Sequence, residues 1–109
     1  MPSGPYESMW LFVSFDLPTL TRQERKKSAR FRKNLLDMGF SMFQLSVYSR
    51  YYNSKDIAAS DSMKIRCLVP ENGHVSVFYI TDKQFSMIDD YYGGLRNQLE
   101  IPEAAIFIE

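Results

Sequence analysis

The 109-residue sequence has a single cysteine, a single histidine and no long apolar run. One cysteine excludes an intrachain disulfide and fits the reducing cytoplasm, and we expect Cys67 to be a small core residue. No stretch approaches the roughly 18 apolar residues of a transmembrane helix, so we predict no membrane insertion. The sequence also lacks the spacing of a zinc site and a glycine-rich phosphate loop. The lone histidine, His74, follows a glycine, and no serine–histidine–aspartate arrangement can be inferred around it.

The formal net charge is zero, but the charges are unevenly distributed along the chain. Between Arg22 and Lys33 there are seven basic residues and one acid, whereas residues 89–109 carry five acids and one arginine. Net neutrality argues against nucleic acid, yet a polyanion responds to a local patch. The alternative is that these basic residues form an ordinary solvent-exposed helix face with no binding role. Because so few acids are available for pairing within this segment, we favour contact with a nucleic-acid backbone. The candidate residues are Arg22, Arg25, Lys26, Arg30 and Lys33.

Hydrophobic periodicity, helix caps and turn residues predict one domain over 9–109, preceded by a flexible leader over 1–8. Thr21 and Glu24 form a capping-box pattern at a helix start, and Gly39 follows the helix end. The predicted elements are strand 9–16, helix 21–38, strand 40–52, a helix within 54–70, strand 74–80, helix 81–92 and strand 104–109. This order predicts an α+β, ferredoxin-like βαββαβ sandwich with both main helices on one face. The helix between strands two and three is then an extra element.

Alternation in the first strand assigns Leu11, Val13 and Phe15 to the face that the helices cover. The opposite face is predicted to be apolar as well, and carries Trp10, Phe12, Phe40, Met42 and Tyr48. An exposed apolar patch of several hundred Å² is typical of a binding surface. It could mediate a homodimer through sheet faces, or stack on RNA bases. The third strand, "HVSVFYI", lacks the basic residue and glycine of RNA-recognition sheets, so we favour the homodimer.

The stretch "FVSFDLPT" places an aspartate, Asp16, at the end of an otherwise apolar strand. Asp16 shares its predicted face with Trp10 and Phe12, so two copies could approach each other in a face-to-face dimer. Two close carboxylates repel unless they are protonated or share a cation, and Mg²⁺ is a suitable hard ion. The alternative is a structural role, in which Asp16 forms an Asx-type turn into Leu17 and Pro18.

Several blocks together resemble the CRISPR-associated Cas2 family, in versions of the type II systems. These blocks are "FVSFDLPT" with "ERKK", "FRKNLLDMGFSMFQLSVYSR" and "GHVSVFYITDKQFSMI", and the resemblance covers residues 9–109. The resemblance implies a ferredoxin-like homodimer that bridges two dimers of the Cas1 integrase and holds double-stranded DNA for integration as a spacer. It also implies a magnesium-dependent endonuclease in which Asp16 is the metal ligand and catalytic residue. The C-terminal extension of the family is short here.

Two functions therefore compete. The first is a CRISPR adaptation subunit, with or without endonuclease activity on double-stranded DNA or single-stranded RNA. A scaffold that retains Asp16 for structure or switching is equally consistent with the residues. The second is a stand-alone ribonuclease toxin of the virulence-associated type, which shares the general fold and needs no integrase partner.

Overall fold

The computed structural model describes residues 7–93, which form one four-stranded antiparallel sheet and three helices. The elements are β1 (Met9–Asp16), α1 (Arg22–Asp37), β2 (Ser41–Gln44), β3 (Val47–Tyr52), α2 (Lys55–Leu68), β4 (His74–Ile80) and α3 (Asp82–Ser86). The strand order across the sheet is β2-β3-β1-β4, so β1 lies at the centre. The predicted last strand, 104–109, and most of the predicted leader lie outside the described residues.

The ends of α1 follow the local sequence signals. The Thr21 hydroxyl accepts a hydrogen bond from the Glu24 amide at 3.0 Å, and the Glu24 carboxylate accepts one from the Thr21 amide at 2.9 Å. This is the reciprocal capping box that satisfies two free N–H groups of the first turn. The chain leaves the helix through Gly39, whose φ of +91° lies in the left-handed region that favours glycine.

The long second strand predicted over 40–52 is wrong, because this segment is a β-hairpin. Residues 45 and 46 turn the chain between β2 and β3, and the pairing shifts register between Met42 and Gln44. The helix that was predicted as an extra element is therefore α2, the second long helix, in a β-α-β-β-α-β order. The helix predicted over 81–92 is also wrong in extent, since α3 ends at Ser86.

Both long helices pack on one face of the sheet. Leu11, Val13 and Phe15 lie in this core, as predicted, together with Phe31 and Leu35 of α1. The predicted facing of the second strand is wrong, because two of its aromatic residues are buried in this same core. These are Phe40 and Tyr48, which are 3% and 4% exposed. Tyr48 is the pairing partner of Val13, and directly opposed residues in a sheet point to the same face.

Cys67 is exposed on α2, so its prediction as a core residue is wrong. The buried side of this helix contains Ala58, Asp61 and Ile65. Cys67 follows Ile65 by two positions, or about 200° around the helix, and therefore points away from the core. Over residues 7–93, no helix combines the length and apolar content needed to cross a bilayer.

The opposite face of the sheet is partly covered by α3. The ring of Phe85 stacks parallel on Trp10 at a centroid separation of 3.8 Å, and Trp10 Nε1 donates to Asp82 Oδ1 at 2.7 Å. Phe12 is 4% exposed and contacts the ring of Phe43 edge-on. Farther along this face, the side chains of Tyr51 and Phe78 remain 44% and 51% exposed. The face is therefore apolar, as predicted, but only part of it is open to solvent.

Candidate functional site

Asp16 is the last residue of the central strand and is exposed. Asp16 follows Phe12 and Ser14 at every second position of β1, so the three side chains share the face opposite the two long helices. Its pairing partner on β4 is His74, which is also exposed. Within residues 7–93, neither side chain forms a hydrogen bond or an ion pair. The structure therefore presents a carboxylate and an imidazole side by side at one edge of the sheet.

The loop that follows Asp16 is held at two points. Leu17 packs against the core and against Gly73, where a Cβ atom would lie only 2.7 Å from Leu17 Cδ2 and 3.0 Å from the Pro70 carbonyl oxygen. Farther along, the Arg25 guanidinium donates to the carbonyl oxygens of Thr19 and Leu20, at 3.2 and 3.0 Å. These contacts fix the backbone on the C-terminal side of Asp16, and no Asx-type hydrogen bond of Asp16 is needed to do so.

The side chains within 7–93 do not by themselves form a complete metal site. No three acidic, histidine or cysteine side chains within 7–93 are grouped so that they could hold an ion. Mg²⁺ is commonly held by one or two carboxylates and keeps several water ligands, so the Asp16 carboxylate is a suitable type of ligand for such an ion.

All five predicted basic residues of α1 are exposed, but they differ in their partners. Arg25 is engaged with the loop, and Lys33 forms an ion pair with Asp37 at 3.0 Å. Arg22, Lys26 and Arg30 form no ion pair with any residue in 7–93. Three of the five candidates are therefore available to an anion without breaking an existing contact.

Sequence reasoning missed Lys27. This residue lines a shallow groove of about 270 Å³ together with Gln23, Lys26 and Arg30, and it also borders a neighbouring groove beside Pro70. The signal was present in the sequence, because Lys27 lies three positions before Arg30 and one turn after Gln23 on the same helix. The free cationic surface of α1 is defined here by Arg22, Lys26, Lys27 and Arg30.

The structure does not bring the cationic surface of α1 and Asp16 to one face. The helix packs through Phe31 and Leu35 on one side of the sheet and directs its free cationic surface to solvent. Asp16 points to the other side of the same sheet. Binding of a polyanion by α1 and chemistry at Asp16 are therefore separable within one chain.

A polar network joins the two helices to the sheet beneath them. Asp61 of α2 accepts hydrogen bonds from Arg50 at 3.0 Å and from the Tyr52 hydroxyl at 2.6 Å. Arg50 also donates to the Met38 carbonyl oxygen at the end of α1, and its guanidinium lies over the Tyr52 ring. The network thus satisfies a terminal carbonyl of α1, which has no basic residue of its own in the last turn.

The pKa of Tyr52 is raised well above its usual value, first by burial and then by its hydrogen bond to Asp61. The folded chain therefore holds this proton more tightly than the unfolded chain, in which the tyrosine titrates at about pH 10. The resulting stabilisation is complete below that pH and is lost as the pH rises above it.

We expect the free energy of unfolding of the wild-type protein to fall by about 1 kcal/mol more between pH 9 and pH 11 than that of Tyr52→Phe. Phenylalanine keeps the ring but cannot ionise. Urea unfolding of both proteins at the two pH values measures the difference. An identical pH dependence in the two proteins would contradict the assignment.

Comparisons with known proteins agree on one family. Residues 9–88 match the model of the family described as CRISPR associated protein Cas2. A protein of Flavobacterium psychrophilum named CRISPR-associated endoribonuclease Cas2 is 52% identical over 88 residues, which cover 81% of this chain and 76% of that protein. A protein of the same name from Parvibaculum lavamentivorans is 47% identical over 88 residues, covering 81% and 87% of the two chains.

A solved structure described as a crystal structure of Cas2 is similar in fold, with a TM-score of 0.58. It is 22% identical in sequence and the match covers 81% of this chain and 88% of that chain.

Proposed function

The chain belongs to the CRISPR-associated Cas2 family, and from this premise we propose that it is the CRISPR adaptation subunit that bridges Cas1 integrase dimers and holds the DNA to be integrated. The family match favours this function over a stand-alone toxin. The proposed DNA-holding role rests on the free cationic surface of α1. Four cations without acidic partners in the described chain repel one another, and a nucleic-acid backbone removes that repulsion.

We further propose that the protein acts as a homodimer through the sheet face opposite α1 and α2, in a ferredoxin-like fold. The sheet order β2-β3-β1-β4 and the β-α-β-β-α-β element order support that classification. Trp10, Tyr51 and Phe78 are the apolar residues of this face that a partner would cover. Phe40 and Tyr48 are removed from the predicted interface because they are buried in the core. Met42 is removed as well, because it is paired with Tyr48 and therefore points to the same side of the sheet.

The dimer would place two copies of Asp16 near a common axis, where they would hold Mg²⁺. When bound, the ion would polarise a phosphodiester and activate water. Asp16 would contribute its charge as a metal ligand, and the anchored loop after it would keep the carboxylate at the edge of the sheet. The relatives named endoribonuclease support RNA as the substrate of this activity.

The DNA-holding role predicts a specific change in salt dependence. Replacing Lys26, Lys27 and Arg30 together by glutamine removes three phosphate contacts. The slope of log affinity for a short DNA duplex against log salt concentration should become less steep by roughly 2 to 3, at about 0.9 for each contact. Binding titrations at four salt concentrations measure this slope, and Cas1-dependent integration of the same duplex should fall in parallel.

A matched control replaces three exposed cations of α2, Lys55, Lys64 and Arg66, by glutamine. This variant has the same change in net charge but leaves α1 intact, so its salt slope should stay close to that of the wild type. Equal losses in both variants would show that duplex binding follows net charge and not the surface of α1, and would contradict the proposed DNA-holding role.

A further inference from the structure

The edge of the sheet that carries Asp16 contains more polar groups than one carboxylate. Asp16 and His74 are directly opposed on β1 and β4, and Ser14 and Ser76 are opposed two residues farther back. The intervening pair, Phe15 and Val75, belongs to the core side. The four polar residues therefore share the face opposite the long helices and form a square at the end of two neighbouring strands.

The two leading members of this square, Asp16 and His74, are directly opposed in the antiparallel register. In an antiparallel pair, the Cβ atoms of directly opposed residues are about 4.5–5.5 Å apart. Asp16 and His74 are exposed, and neither has a hydrogen-bond or ion-pair partner within 7–93. A position between a free carboxylate and a free imidazole is suited to a cation that accepts both oxygen and nitrogen.

We propose that His74 is a second metal ligand beside Asp16, so that each chain contributes one oxygen and one nitrogen to a transition-metal site. This inference rests on the proposed metal-binding role of Asp16 and extends it to the class of metal. Ser14 and Ser76 are the next opposed pair on this face, and their hydroxyl groups would be available to hydrogen-bond a metal-bound water.

The nitrogen ligand determines which ion the site prefers. Mg²⁺ is a hard ion that takes oxygen ligands and keeps much of its water shell, so an imidazole adds little to its affinity. First-row transition ions accept imidazole readily, and their affinities for mixed nitrogen and oxygen sites rise from Mn²⁺ onwards. The site therefore binds Mn²⁺ more tightly than Mg²⁺.

The test uses the full-length chain without a histidine tag and Mn²⁺ as the probe. His74 is the only histidine in the sequence, so an imidazole nitrogen coupled to bound Mn²⁺ in electron spin-echo modulation can only come from this residue. We expect that coupling in the wild type. We also expect His74→Ala to weaken Mn²⁺ binding by at least about tenfold and Mg²⁺ binding by no more than about twofold.

Two further variants separate this inference from the proposed function. Asp16→Asn should weaken the binding of both ions, whereas Glu71→Gln, an exposed acid of the turn before β4, should change neither. If Mn²⁺ binds through Asp16 without nitrogen coupling and His74→Ala is unchanged, the role of His74 is overturned while the role of Asp16 stands. If the wild type binds neither ion, or Asp16→Asn binds both normally, both assignments are overturned.

Discussion

Asp16→Asn is expected to reduce metal-dependent RNA cleavage by at least about 100-fold, and this is the largest functional effect that we predict. Asparagine preserves the shape of the side chain and removes the charge that would hold the proposed metal ion. A metal acting as a Lewis acid supplies several kcal/mol of transition-state stabilisation, and about 1.4 kcal/mol corresponds to each factor of ten in rate. Because Asp16 is exposed and has no partner within 7–93, the substitution should leave the fold intact.

The measurement is cleavage of a labelled single-stranded RNA by highly purified wild type and variant, each with and without the divalent ion. Asp89→Asn provides a matched control, because it removes one exposed carboxylate elsewhere in the chain. Light scattering on the same samples reports the mass, which we expect to be that of a dimer for all three. Equal cleavage by wild type and Asp16→Asn would assign the activity to another site or to a contaminant.

The same variant separates the two proposed roles. Asp16 and the cationic surface of α1 lie on opposite sides of the sheet, so Asp16→Asn should bind a DNA duplex with wild-type affinity. In Cas1-dependent integration of a short duplex, wild-type activity of Asp16→Asn would identify an architectural subunit with a separate nuclease site. Loss of integration with retained duplex binding would instead make the carboxylate part of the acquisition step.

Asp61→Ala is expected to lower the free energy of unfolding by about 3 kcal/mol, the largest effect on stability that we predict. The substitution removes the common acceptor of Arg50 and the Tyr52 hydroxyl, and Asp61 keeps only 11% of its side chain exposed. Loss of one partner from a buried ion pair typically costs 3–5 kcal/mol. The lower end applies here, because the Arg50 side chain is 35% exposed and keeps its bond to the Met38 carbonyl.

For a domain of this size, the loss corresponds to a decrease in Tm of roughly 10–20 °C. The control is Lys64→Ala, which removes the other ion-pair partner of Asp61. The Lys64 side chain is 68% exposed and its pair with Asp61 spans 3.4 Å, so its removal should change stability by less than about 1 kcal/mol. Thermal unfolding of the wild type, Asp61→Ala and Lys64→Ala measures these differences in Tm. Similar Tm values for Asp61→Ala and Lys64→Ala would show that the network does not anchor the helices.

Elements with strong local signals were predictable from the sequence. The strands β1 and β4 begin and end where alternation and turn residues placed them, and α1 begins after the Thr21 capping box. Each of these signals acts within a few residues of the backbone that it shapes. The candidate aspartate was also predictable, because a carboxylate that ends an apolar strand is conspicuous without any knowledge of its neighbours.

The hairpin over β2 and β3 was missed because its turn carries no conventional signal. Residues 45 and 46 are Leu and Ser, and not the asparagine, aspartate or glycine that mark most tight hairpins. Alternation correctly placed Phe40 and Tyr48 on one face but could not identify that face as the core. The choice depended on α1 and α2, whose apolar side chains pack on the face that carries Phe40 and Tyr48.

Local periodicity and capping were therefore sufficient for β1, β4, α1 and Asp16, since each depends on contacts between near neighbours in the chain. Three other features could be identified only in the tertiary structure. They are the pairing of Asp16 with His74, the division of the α1 cations into free and engaged ones, and the position of α3 over Trp10. These features join residues that are distant in sequence, and strand register and helix packing bring them together only when the whole core has formed.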